Sequence, residues 1–159
     1  MNIFATCADP KHSAQVLPDK HVVKMPLECC QMLAIIYSEW YLNWGEIHKK
    51  DGTPYKTKKG AFRNHPCTVW ASKNEYNLAW LIQHGCSLST EYRYRYGKEH
   101  SCEKTLFEAK EFSTKRLIKR SYVMVWQMIL PVLCLMSSNM MTALILSLHT
   151  RCMFRLSLG

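Results

Sequence analysis

Asp19-Lys20-His21-Val22-Val23-Lys24-Met25-Pro26-Leu27-Glu28-Cys29-Cys30-Gln31-Met32-Leu33 is the stretch on which the reading of this chain turns. Helical spacing sorts it into two faces. Val22, Cys29, Leu33, Ile36 and Trp40 recur at intervals of three, four or seven and make an apolar stripe. His21, Lys24, Glu28 and Gln31 recur at three, four and three on another side. An imidazole, a cation and a carboxylate along a largely apolar helix mark a candidate site. The structural alternative for Glu28 is an i,i+4 ion pair with Lys24. For His21 it is a capping or core histidine.

Working outward, Pro18-Asp19 predicts the helix start, with Asp19 as N-cap. Pro26 predicts a kink, at a cost of about 3 kcal/mol if unrelieved. The helix is expected to run to about Trp44 and to end at Gly45. Before it, Met1-Asn2-Ile3-Phe4-Ala5-Thr6 suits a short extended segment under the helices. Asp9-Pro10 opens a turn or short helix through Ser13, Ala14 and Val16.

After it, residues 46–63 hold six basic side chains, Lys49, Lys50, Lys56, Lys58, Lys59 and Arg63, among turn residues such as Asp51-Gly52 and Thr53-Pro54. This is a solvated connector or a phosphate-contacting loop. Asn64-His65-Pro66 has helix-start chemistry, with a capping residue followed by Pro. A second helix is expected over 67–90, with Gly85 as a point where it splits. In Glu91-Tyr92-Arg93-Tyr94-Arg95-Tyr96-Gly97, arginine and tyrosine alternate. That pattern suits base stacking and phosphate contact, or equally a tyrosine-rich core edge with solvated arginines. Residues 98–120 are charged and helix-compatible.

The 159 residues carry a formal net charge of +9, which favours an anionic partner. The charge is uneven. Residues 1–111 hold 15 Lys/Arg and 12 Asp/Glu, whereas residues 112–159 hold 6 Lys/Arg and no acid. Between Ser121 and Thr150 no Asp, Glu, Lys or Arg occurs. The expected organisation is therefore a helical core domain over 1–111 and an apolar, acid-free tail over 112–159. One reading of the tail is a membrane-spanning segment with basic flanks; against it stand Gln127, Pro131, Ser137, Ser138 and Asn139. The other is translation out of frame, which predicts a poorly packed end.

Eight cysteines include an adjacent pair, Cys29 and Cys30, and no CxxC, so a disulfide scaffold is not indicated. Reduced thiols in a cytosol are expected. Cys7, Cys29, Cys30, Cys67 and His65 lack the spacing of common zinc sites, so no metal is expected. The fold class read from these patterns is all-α: one compact helical domain with a short extended N-terminal segment.

The front of the chain resembles a group of small phage-encoded proteins. The resemblance rests on Met1-Asn2-Ile3-Phe4, Asp19-Lys20-His21-Val22-Val23-Lys24-Met25 with Glu28 following, Asn64-His65-Pro66, Trp70-Ala71 and Tyr94-Arg95-Tyr96-Gly97. More remotely, the central helix is similar to that of the pyrimidine-dimer DNA glycosylases of the phage endonuclease V type. Those carry Asp-x-His and a glutamate seven residues after the histidine, a spacing kept here by Asp19, His21 and Glu28. The likeness covers about residues 1–100.

The resemblance implies a DNA glycosylase with abasic-site lyase activity, working on damaged double-stranded DNA in the host cytoplasm without a cofactor. It places the chain's α-amine as nucleophile, at Met1 or Asn2, with Glu28 and His21 in the catalytic group. In this family a small residue follows the removed methionine; with Asn at position 2, Met1 is expected to be retained. Arginines flank the glutamate in such enzymes; Leu27 and Gln31 stand there in this chain. Lys24, Arg63, His65, Arg93, Tyr94 and Arg95 are the candidate DNA contacts. The alternatives are a non-enzymatic DNA- or host-protein-binding module and, if the tail spans a bilayer, a small single-pass membrane protein.

Overall fold

A computed structural model describes residues 2–117. They form an all-α fold in which residues up to Thr114 make one compact unit. Helix α1 is Pro10–Gln15, α2 is Asp19–Tyr37, α3 is Pro66–Ser72 and α4 is Glu75–Tyr96. A fifth helix, α5, starts at residue 103 and continues to residue 117. Among the described residues the only β-type pairing is an isolated antiparallel bridge between His48 and Pro54. Of the tail expected over 112–159, residues 112–117 continue α5, and the rest, from residue 118, lies outside the described residues.

α2 is the spine. Val22, Cys29, Leu33 and Ile36, four members of the expected stripe, are buried. So are Met25, Cys30, Met32 and Tyr37, so the C-terminal half of α2 is enclosed on nearly every side. α4 packs across α2, with α1 against α4 and α3 against both long helices. Gly85 of α4 makes a close approach. A Cβ there would stand 2.7 Å from Leu106 Cδ2 and 3.2 Å from Cys29 Cβ. Tyr37 ties α2 to α5 by donating to the Ala109 carbonyl at 2.9 Å. Tyr37 Oη also lies 2.5 Å from Ser113 Oγ.

Several local expectations are corrected. α2 stops at Tyr37, not near Trp44. Ser38 is its C-cap, and the amides of Leu42, Trp44 and Gly45 fold back onto the Ile36 and Tyr37 carbonyls. Trp40 therefore leaves the stripe and lies in the loop that follows. Pro18, not Asp19, caps α2, without a side-chain bond. Pro26 is buried inside α2, which runs past it to Tyr37. The helix expected over 67–90 is two helices. The break falls at residues 73–74, where Asn74 caps α4 by accepting from the Asn77 amide at 2.8 Å. Gly85 does not interrupt α4, which runs on to Gly97, a left-handed C-cap with φ of 64°.

Candidate active site

The site is built where the N-terminal arm runs along α2. Ile3 is buried and anchors the arm. The Asn2 backbone nitrogen lies 2.6 Å from Glu28 Oε2. Glu28's other oxygen is 3.3 Å from Lys24 Nζ. The carboxylate side chain is only 10 % exposed, whereas the lysine is 69 % exposed. Two residues along the arm, the Phe4 ring meets the His21 imidazole edge-on, with centroids 4.6 Å apart. Seven helical residues separate His21 from Glu28, an axial rise of about 10 Å. The arm thus lies against the polar face of α2, with residue 2 at Glu28 and residue 4 at His21. His21 Nδ1 is buried and makes no hydrogen bond. An orphaned buried ring nitrogen is uncommon and calls for an explanation.

The arm is held at several further points. Ser13 Oγ receives the Thr6 amide at 3.0 Å and donates to the Phe4 carbonyl at 3.4 Å. Trp80 Nε1 donates to the Ala8 carbonyl at 2.7 Å. Asp9 caps α1 through the Lys11 and His12 amides, and those bonds hold its carboxyl below the usual range. His84 lies between the Ile3 and Pro10 carbonyls. Burial pulls its imidazole below the ordinary histidine value, and the two carbonyls push back. Neither His84 nor Trp80 stood out in the sequence. A lone histidine within a helix carries no periodic signal for a partner 81 residues away.

The candidate DNA contacts divide. Arg63 places its guanidinium 4.3 Å over the Trp40 ring. Its carbonyl accepts from Tyr41 Oη at 2.5 Å, and Trp40 Nε1 donates to the Thr57 carbonyl at 2.9 Å. The loop so braced presents Phe62, exposed and at a φ of 66°, a left-handed backbone rare for an aromatic residue. Tyr94 is 85 % exposed. His65 caps α3, its Nδ1 accepting from the Cys67 amide at 3.3 Å. Arg93 pairs with Glu99 and Glu103.

Arg95 is the most committed of the set. It binds Glu91 at 2.7 Å, Asp19 at 2.8 Å, and the Leu17 and Gln15 carbonyls at 2.9 and 2.8 Å. It clamps α4 to the α1–α2 connection. Met1 lies outside the described residues. Among the described residues no cluster of three or more His, Cys, Asp or Glu could hold a metal, and the six cysteines there are free thiols. None of the helices described is long and apolar enough to cross a membrane.

One family model matches the chain, over residues 1–104: pyrimidine dimer DNA glycosylase. No curated protein and no solved structure matches.

Proposed function

The chain belongs to the pyrimidine dimer DNA glycosylase family, a DNA-repair family whose partner is DNA, and from that premise we propose that it releases a damaged base and then cleaves the abasic strand. The observation that carries this reading is the 2.6 Å separation between the Asn2 nitrogen and Glu28. In the intact chain that nitrogen is an amide. Loss of Met1 turns it into the α-amine, already within proton-transfer reach of a carboxylate. This departs from the retained Met1 expected from Asn at position 2. An α-amine titrates near pH 8, so a useful fraction is neutral and nucleophilic at physiological pH.

The amine attacks the sugar C1′, the C1′–base bond breaks, and the base leaves with its electron pair and takes up a proton. Opening of the sugar ring gives an iminium joining C1′ to the Asn2 nitrogen. Removal of a C2′ proton then expels the 3′ phosphate by β-elimination. Glu28 relieves the amine of its proton and serves the later proton transfers. His21 lies on the same helix face as Glu28, with its ring against Phe4 of the arm. Lys24, Arg63 and Tyr94, exposed or stacked at the surface, supply phosphate and base contacts in place of arginines at 27 and 31. His65, Arg93 and Arg95 are committed instead to a helix cap and to ion pairs within the fold. All these residues precede position 97 and the family match ends at 104, so the activity is assigned to the front domain, residues 1–111.

Borohydride reduces such an iminium to a stable amine, which makes the test direct. Incubation with duplex DNA holding a pyrimidine dimer or an abasic site should give a covalent adduct. Mass spectrometry should locate it on Asn2. Glu28→Gln should lower trapping by at least about 100-fold while leaving binding intact. Salt-sensitive binding with no adduct would instead identify a non-enzymatic DNA-binding module.

A further inference from the structure

We infer that His84 is a positioning residue for the nucleophile: it fixes the N-terminal arm so that the Asn2 nitrogen meets Glu28. This rests on the reaction proposed above. The imidazole is fully buried in α4. Its Nε2 is 3.2 Å from the Ile3 carbonyl and its Nδ1 is 3.0 Å from the Pro10 carbonyl. The ring stacks on Trp80 with centroids 4.7 Å apart and planes 25° from parallel. Trp80 in turn donates to Ala8 at 2.7 Å. One helix face therefore meets the arm at residues 3, 8 and 10, with the single N–H of a neutral ring serving one of the Ile3 and Pro10 carbonyls at a time.

The Ile3 contact decides the role. That carbonyl belongs to the residue directly after Asn2, so a shift of Ile3 is transmitted to the nitrogen at Glu28. A residue needed only to fill the core would be apolar, because a buried polar ring costs free energy unless it is hydrogen-bonded. Here both ring nitrogens face carbonyl oxygens, and both carbonyls lie on the segment that carries or follows the nucleophile. A neutral imidazole has one N–H; with the proton on Nε2 it donates to Ile3 and holds the reactive end of the arm.

The test compares His84→Phe, which keeps a ring on Trp80 and drops both polar contacts, with His84→Gln, which retains a donor. Two readouts are needed. Hydrogen exchange of residues 3–8 should rise by about tenfold or more in His84→Phe while α2 keeps its protection. On abasic duplex DNA, the single-turnover trapping rate should fall roughly 10- to 100-fold with Kd nearly unchanged, as expected for a nucleophile displaced by about 1 Å. His84→Gln should recover part of both. Arm exchange and trapping equal to wild type in His84→Phe, or a rate loss that only follows weaker binding, would overturn the inference. A wild-type protein that forms no adduct would overturn the nucleophile assignment itself, and arm exchange would still decide whether His84 anchors residues 3–8.

Discussion

Glu28 has one contact that helical spacing dictates and one that it does not. Its pair with Lys24 follows from i,i+4 spacing and, with the lysine mostly in water, contributes a few tenths of a kcal/mol. Its bond to Asn2 depends on the path of the arm. His84 makes a separate prediction at this scale. Burial holds its pKa below the ordinary value, so on acidification the unfolded chain takes up a proton that the folded chain refuses. The resulting stability is fully present above the unfolded pKa and is lost as pH falls through the folded one. The urea midpoint should therefore start to drop as pH falls through the ordinary histidine value of about 6.5, and the drop should be smaller in His84→Gln. An identical acid limb in both proteins would show that His84 titrates as it does unfolded. The Lys24–Glu28 face was legible in the sequence because helical spacing alone brings those residues together. The arm's contact with Glu28 was reached only through the family resemblance, since no periodicity links residue 2 to residue 28. His84 was not legible at all.

The elements were read well where burial repeats and poorly where the chain turns. α2 shows a stripe that four buried residues satisfy, and its start was found to within a residue. Its end was misplaced because Trp40 and Trp44 continue the apolar rhythm after the backbone has left the helix. There, amides folding back on Ile36 and Tyr37 win over hydrophobic spacing. Gly85 was read as a helix breaker, but its lack of a side chain serves packing. Substituting alanine would gain up to about 1 kcal/mol of helix propensity. The new methyl would press on Leu106 and Cys29, and overpacking costs about 1–3 kcal/mol. Gly85→Ala should thus lose about 1 kcal/mol net in urea unfolding, with an unchanged m-value. A stabilised variant would mean that Leu106 moves aside freely. That readiness would show α5 to be more loosely seated on α4 than the close approach at Gly85 indicates.

At the scale of the whole molecule, the net charge of +9 points to an anionic partner without saying which cations meet it. Six of the basic residues lie from position 112 onward, mostly beyond the described residues, so the interface must be sought among cations that the fold leaves available. Sequence position could not make this selection. Arg93 and Arg95 stand in one motif with Tyr94, yet Arg93 is paired to two glutamates and Arg95 is bound to two carboxylates and two carbonyls. Arg63 instead lies over the Trp40 ring beside an exposed Phe62, and Lys24 extends into water from the helix turn preceding Glu28. Salt dependence separates these roles. Each phosphate contact releases condensed counterions, so the slope of log K against log salt for duplex DNA is about −0.9 per contact. Lys24→Ala and Arg63→Ala should each make that slope shallower by about 1, with little change in stability. Arg95→Met should leave the slope as in wild type and instead lower stability by about 2 kcal/mol, because it strips partners from Asp19, Glu91 and the end of α1. A shallower slope in Arg95→Met would mean that DNA displaces Asp19 and takes the guanidinium for itself, and the clamp would then be a feature of the free protein only.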